Sequence, residues 1–428
     1  MALEHPIVST AGWTTRRPLR IAMVAPPWFE LPPVGYGGIE SVVADLVDAL
    51  VARGHEITLV GSGRNGTKAQ RFVQVFPEPP FQRLGEAMPE VVHAAAAAEA
   101  LEGLDVDLVH DHCCAGPLLA RGRRIPTVVT AHGPVTGEPG DYFRYLGDSI
   151  ELVAISDAQR RLNPALNWVG RVHNAIDVDT FPFAETKDDY VLFLGRFNPD
   201  KGAHLAIDAA RRAGRRIILA GKCNEALEKA YFEAEIKPRL GPGVEYVGEA
   251  DATMKRELFA GARCLVFPIQ WDEPFGMVMI EAMACGTPVV ATRRGSVPEV
   301  VADGVTGHII DDLDDLPAAI VAAEELSPTA CRRHVRAKFD LPVMAEGYER
   351  VYRTLVEGRE LLEELPEASA RRRMPAMRPP TEVAAAAAST ASTTPSTTTR
   401  PLPTAITEAG EVVRQADIDD LPDQRRRR

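Results

Sequence analysis

One rhythm limits the fold of this chain more than any other feature, and it runs twice. A short apolar run ends in a Gly- or Pro-rich turn, and a segment with helical spacing follows. Residues 21–25 form the first run, closed by Pro26 and Pro27. After a Pro/Gly-rich loop, residues 39–53 set Val42, Val43, Leu46, Val47, Leu50 and Val51 on one helical stripe. Gly54 ends that helix, and residues 56–60 read as the next strand. Further strands are expected at 107–110, 127–130 and 152–155, with an Ala-rich helix over 90–101. The rhythm pauses near residues 179–188. It restarts with a strand at 190–194, Gly195, a helix over 203–213, and strands at 216–220, 264–268 and 288–291. Continuous apolar strands separated by helices predict a parallel sheet covered on both faces. The expected architecture is α/β, two doubly wound units in series with a hinge near residue 182. Ligands of such sheets sit at the carboxyl ends of the strands, so the site belongs in the cleft between the units.

The chain's 428 residues leave room for a tail beyond two domains. The formal net charge is −12, and the segment after Glu360 holds ten basic and ten acidic residues, so the negative excess lies on the folded part. A nucleic-acid partner, which calls for a basic face, is not expected. Cys113, Cys114, Cys223, Cys264, Cys285 and Cys331 show no framework spacing and read as reduced, buried thiols of a cytoplasmic protein. No signal-peptide pattern and no membrane-spanning run is read from the sequence, and peripheral contact with a membrane surface stays open. From residue 361 onward Pro, Thr, Ser, Ala and Arg dominate, and a disordered tail is expected over 361–428.

Three loop motifs carry the chemistry. The most specific is Glu273-Pro274-Phe275-Gly276-Met277-Val278-Met279-Ile280-Glu281, which follows the run 264–268. Gly276 opens a helix there, and a helix N-terminus offers unpaired N–H groups and partial positive charge to a diphosphate. Glu273 precedes that terminus and Glu281 lies within the helix, separated by roughly 7 Å of rise. The two carboxylates can address opposite ends of one ligand, sugar hydroxyls at Glu273 and ribose hydroxyls at Glu281. The second motif runs from Gly195-Arg196 to Lys201-Gly202, where two cations flank a loop and suit a leaving diphosphate. The third, Gly35-Tyr36-Gly37-Gly38, lets backbone N–H groups approach a phosphate closely.

The histidines are less specific. His110-Asp111-His112-Cys113-Cys114 has no partners at ligand spacing, and it reads as a strand end lining the cleft rather than a metal site. His132 ends another strand and is the better candidate for a sugar contact. Asp105-Val106-Asp107 lies ahead of its strand and reads as a turn.

Together these residues resemble family 4 of the retaining glycosyltransferases, which have the GT-B fold. The matching pieces are Gly37-Gly38-Ile39-Glu40, Thr130-Ala131-His132-Gly133, Asn174-Ala175-Ile176-Asp177, Gly195-Arg196 with Lys201-Gly202, and the pair Glu273 and Glu281. Residues 281–291 with Pro298-Glu299 fit as well. Ala175 departs from the pattern, since many relatives carry glycine there.

The resemblance covers about residues 19–358. It implies an N-terminal extension over 1–18, an acceptor-side Rossmann-like domain over 19–182 and a donor-binding one over 183–339. A helix over 340–360 would cross back to the first domain. Gly37, Gly38, Arg196, Lys201, Met277 and Val278 would hold the donor diphosphate, and Glu281 the ribose. His132, Glu273, Pro274, Phe275 and Gly276 would hold the sugar, with His132, Glu273, Arg196 and Lys201 taking part in catalysis. Transfer would be retaining and metal-independent, with no cofactor. The donor would be a nucleotide-sugar, UDP-linked by family habit. The acceptor would be a hydroxyl of a saccharide, lipid or small molecule.

Other classes make different demands. A glycoside hydrolase sets its two carboxylates on facing sides of a bond, whereas Glu273 and Glu281 share one loop–helix unit. A sugar-nucleotide epimerase on the same fold would turn over the donor with no acceptor. A non-catalytic module would bind nucleotide and release none.

Overall fold

The computed structural model describes residues 17–35 and 37–363. Its first sheet has seven strands: β1 (Arg20–Val24), β2 (Glu56–Gly61), β3 (Arg71–Gln74), β4 (Leu108–Asp111), β5 (Thr127–Ala131), β6 (Glu151–Ala154) and β7 (Trp168–Arg171). Every neighbouring pair is parallel, in the order β3-β2-β1-β4-β5-β6-β7. The second sheet has six: β8 (Val191–Leu194), β9 (Ile217–Ala220), β10 (Val244–Tyr246), β11 (Leu265–Phe267), β12 (Val289–Thr292) and β13 (Gly307–Ile310). These are also parallel, in the order β10-β9-β8-β11-β12-β13. In each sheet the chain order reverses beside the first strand, between β1 and β4 and between β8 and β11. A crevice opens at such a switch point because the flanking crossovers run over opposite faces.

Burial on both faces is what made the inner strands readable. Ile21, Ala22, Met23 and Val24 of β1 are each at most 1 % exposed. Strands β3, β7, β10 and β13 lie outside those expected from the sequence, and all four are sheet edges. The segment 62–85 contains β3, and 137–148 contains the helix Gly137–Leu146.

The last described helix, Leu341–Glu363, is longer than the expected crossing element. Met344, Ala345, Tyr348 and Tyr352 are buried in one cluster with Val42, Leu46 and Leu50 of the helix Gly38–Ala52. Charge fixes the contact as well, for Glu349 accepts from the Arg53 Nε at 2.7 Å and from the Arg353 Nε at 2.8 Å. Beside the hinge, the Ile176 N–H donates to the Phe339 carbonyl at 3.0 Å, so the two chain crossings are tied together. Residues 1–16 of the expected extension over 1–18 and residues 364–428 of the expected tail over 361–428 lie outside the described residues, while residues 361–363, expected in the tail, continue the last helix because its turn carries on past the crossing.

Candidate active site

The second domain supplies two loops at the carboxyl ends of β8 and β11. After β11, Gly276 caps the helix Met277–Ala284 at φ 77°, a conformation that favours glycine. A Cβ there would stand 2.7 Å from the Met279 methyl. The loop ahead of it is held from below. The Ser296 N–H donates to the Glu273 carbonyl at 2.9 Å, and the Ser296 hydroxyl donates to the Phe275 carbonyl at 2.8 Å. After β8, the Asn198 side chain accepts from the Lys201 N–H at 3.1 Å, and the Gln270 N–H joins the two loops through the Asp200 carbonyl at 2.8 Å.

The first domain faces these loops with the start of the helix Gly38–Ala52. Gly37 sits at φ 146°, and a Cβ there would be 2.7 Å from Pro33. A Cβ on Gly38 would meet no described atom within 4 Å. Gly37 is therefore needed by the backbone, whereas the space at Gly38 belongs to the cleft. Glu40 follows, 3 % exposed, and burial pushes its carboxyl up to about 7.

Between these walls lies a cavity of about 320 Å³. Gly37, Gly38 and Ser41 line it from one side; Arg196, Lys201, Lys255, Met277, Val278 and Glu281 line it from the other. All the residues expected around the diphosphate and ribose thus meet in one space.

The cations there are paired with carboxylates. Arg196 gives its Nε to Glu228 at 2.6 Å and an outer nitrogen to Glu225 at 2.8 Å. Lys201 pairs with Glu273 and stands 5.2 Å from the Trp271 ring centre. Glu281 pairs with Lys255 at 2.7 Å. Low-dielectric walls make an unpaired charge costly, so cations gathered for a dianion need carboxylate partners when it is away.

The expected sugar contacts are placed differently. Phe275 is 2 % exposed and packs on Phe339 and His173, so only its backbone can reach a ligand. Pro274 borders a second cavity of about 190 Å³, lined also by Gly133, Thr136 and Trp271. His132 follows β5 and precedes Gly133 of that lining, and burial lowers it to about 4, so it is neutral near pH 7.

His110 and His112 lie beneath the cleft rather than lining it. They are 0 % and 4 % exposed, and Tyr348 and Tyr352 of the crossing helix pack on His110. His110 is held by the Tyr352 hydroxyl at 2.7 Å and the Thr130 hydroxyl at 2.8 Å. Asp105 and Asp107 pair with Arg20 at the opposite end of the sheet, in keeping with a turn.

Sequence reasoning passed over Lys255 and Glu228, and it matched Glu299 to the family pattern without giving it a role. Lys255 sits on the helix Ala252–Gly261, where a lone lysine reads as solvated. Glu228 accepts from the Asn224 and Glu225 N–H groups, a local cap in sequence that becomes the seat of Arg196 in space. Glu299 crosses the cleft to the Asp157 N–H at 2.8 Å and the His173 Nε2 at 3.2 Å.

Two facing parallel α/β domains with a phosphate-suited cleft between them define the GT-B class of glycosyltransferases. The sequence profile of Glycosyltransferase Family 4 matches residues 36–200, and that of Glycosyl transferases group 1 matches 177–336. A phosphatidyl-myo-inositol mannosyltransferase of Mycolicibacterium smegmatis is 28 % identical over 380 residues, covering 79 % of this chain and 94 % of the relative. An alpha-maltose-1-phosphate synthase of Mycobacterium tuberculosis is 30 % identical over 352 residues, covering 69 % and 86 %. Among solved structures, AviGT4, a glycosyltransferase involved in avilamycin A biosynthesis, superposes with a TM-score of 0.63 at 28 % identity, covering 80 % of this chain and 99 % of that one. The chain belongs to this glycosyltransferase family, and its reaction class is sugar transfer from a nucleotide-sugar donor. Among the described residues no helix is long and apolar enough to cross a membrane.

Proposed function

We propose that the protein is a retaining, metal-independent hexosyltransferase that uses a UDP-sugar and transfers to a hydroxyl of a saccharide, lipid or small molecule. The observation that carries this reading is the shared cavity, in which Gly38 faces Arg196, Lys201 and the N-terminus of the helix Met277–Ala284. An incoming diphosphate takes Lys201 from Glu273, and the freed carboxylate turns to the sugar hydroxyls. Glu281 receives the ribose. As the sugar–oxygen bond breaks, negative charge grows on the departing phosphate, and fixed cations and N–H dipoles gain strength at that moment. The leaving phosphate oxygen takes the acceptor's proton on the same face, which gives retention without a protein nucleophile.

The chain covers 94 % of a relative named for a lipid acceptor and 86 % of one named for a sugar phosphate, so the family name leaves the acceptor class unassigned. Peripheral contact with a membrane surface accompanies the lipid reading.

The test is thermal stabilisation by UDP, GDP and ADP, each with and without EDTA, because a ligand that binds only the native state raises stability with concentration. UDP is expected to stabilise most, and EDTA to change nothing. Stabilisation by none of the three would refute the donor site. Loss of the effect in EDTA, restored by magnesium or manganese, would refute the metal-free reading.

A further inference from the structure

Beneath the cleft on the first domain, His112 Nδ1 lies 2.8 Å from His132 Nε2, and His112 Nε2 lies 3.2 Å from the Met23 sulfur. A thioether sulfur has lone pairs and no proton, so it can only accept. The contact at Met23 therefore asks for a proton on His112 Nε2. A neutral imidazole carries one N–H, which leaves His112 Nδ1 as a lone pair. That lone pair needs a donor, and the facing atom is His132 Nε2.

We infer that His112 is a positioning residue: it takes the Nε2–H of His132, so His132 offers the cleft a bare Nδ1, a hydrogen-bond acceptor and not a donor. Among the described residues nothing hydrogen-bonds His132 Nδ1. His112 is 4 % exposed and acts only through His132. Its own ring is fixed from behind by His110, whose ring centre is 4.0 Å away and whose nitrogens are held by Thr130 and Tyr352. Burial lowers both His112 and His132, which keeps the pair neutral.

The inference deepens the proposed function and rests on it for one consequence. A bare nitrogen accepts from a sugar hydroxyl and is repelled by a carboxylate. The site therefore selects a hydroxymethyl sugar over the matching uronic acid.

The experiment labels the full chain with 15N-histidine and reads the ring nitrogens at neutral pH, with His132 assigned by loss of its signals in His132→Asn. The expected pattern at His132 is a protonated Nε2 and a bare Nδ1. His112→Phe keeps a ring but removes the lone pair, so the pattern should become a tautomer mixture. His112→Asn restores an acceptor oxygen, and the pattern should return. Hydrolysis of UDP-glucose should fall about tenfold in kcat for His112→Phe and recover in His112→Asn. UDP-glucuronate should be a poorer donor than UDP-glucose in the unaltered protein.

A protonated Nδ1 on His132 of the unaltered protein would overturn the inference, as would an unchanged tautomer in His112→Phe. If His112→Phe does not fold, the tautomer of the unaltered protein decides alone. A confirmed tautomer with no binding of UDP-glucose would uphold the inference about His112 and refute the donor reading.

Discussion

The two walls of the cleft are built on opposite electrical plans. The second domain presents charge held in pairs: Arg196 with Glu225 and Glu228, Lys201 with Glu273, and Lys255 with Glu281. The first domain presents glycines and the neutral His132, which is lowered by burial, as are His110 and His112 beneath it. The difference assigns the labour. A wall of exchangeable ion pairs suits a group that arrives and leaves carrying charge. A neutral wall suits a sugar and a hydroxyl, which must be oriented without binding the diphosphate away from its cations.

The neutral wall depends on the far end of the chain, so its most severe disruption comes from there. Ending the chain after Phe339 removes Met344, Tyr348, Tyr352 and Val356, all buried. At about 1.5–3 kcal/mol each, the loss rivals the whole stability of a domain. The first domain should become protease-sensitive, and a truncated chain that melts with the full-length protein would refute the dependence.

The charged wall should break at the chemical step. Lys201→Ala and Arg196→Ala are each expected to lower kcat about a hundredfold, more than they weaken donor binding, because each cation gains strength as charge develops. The double variant should be less than additive if both act on one phosphate group. Wild-type turnover by both single variants at saturating donor would place the cations outside the chemistry.

A smaller effect should separate binding from rate on the same wall. Glu281→Ala removes a contact that is similar in the ground and transition states, so the donor KM should rise about tenfold with kcat little changed. A fall in kcat at constant KM would reverse the assignment.

The mildest test sharpens the neutral side. A histidine lowered to about 4 in the fold takes up its proton later than in the unfolded chain. The unfolded state therefore binds more protons between about pH 6.5 and 4, and stability falls as the pH drops through that window. His132→Asn lacks this loss, so the gap in Tm between parent and variant should narrow on going from pH 7 to pH 5. The comparison within one background cancels Glu40, raised to about 7, and Asp111, raised to about 6, whose slopes run the other way. A constant gap would show that His132 is not held neutral by the fold.

How much of this was legible divides by position in the sheets. Inner strands such as β1, β8 and β11 are covered on both faces and appear as apolar runs. The edge strands β3, β7, β10 and β13 are not. Residues Arg71 to Gln74 of β3 are partly or fully exposed and carry no such run.

Gly276 and Gly37 were readable because a positive φ leaves glycine as the favoured residue, and that demand is local. The motif Glu273 to Glu281 was readable because one strand, one turn and one helix contain it. Sequence by itself thus determined the two α/β units, the turns that open their helices and the residue types gathered for a diphosphate. All of these are set by periodicity and backbone geometry over a dozen residues.

Only the tertiary structure decided the partners. Lys255 meets Glu281 across 26 positions, Lys201 meets Glu273 across 72, and Tyr352 meets His110 across 242. It also decided that His112 lies behind His132 rather than beside it in the cleft. Side-chain pairing depends on which strands become neighbours and which helix closes over them, and those contacts are won by burial summed over the whole core, which no local stretch of the chain encodes.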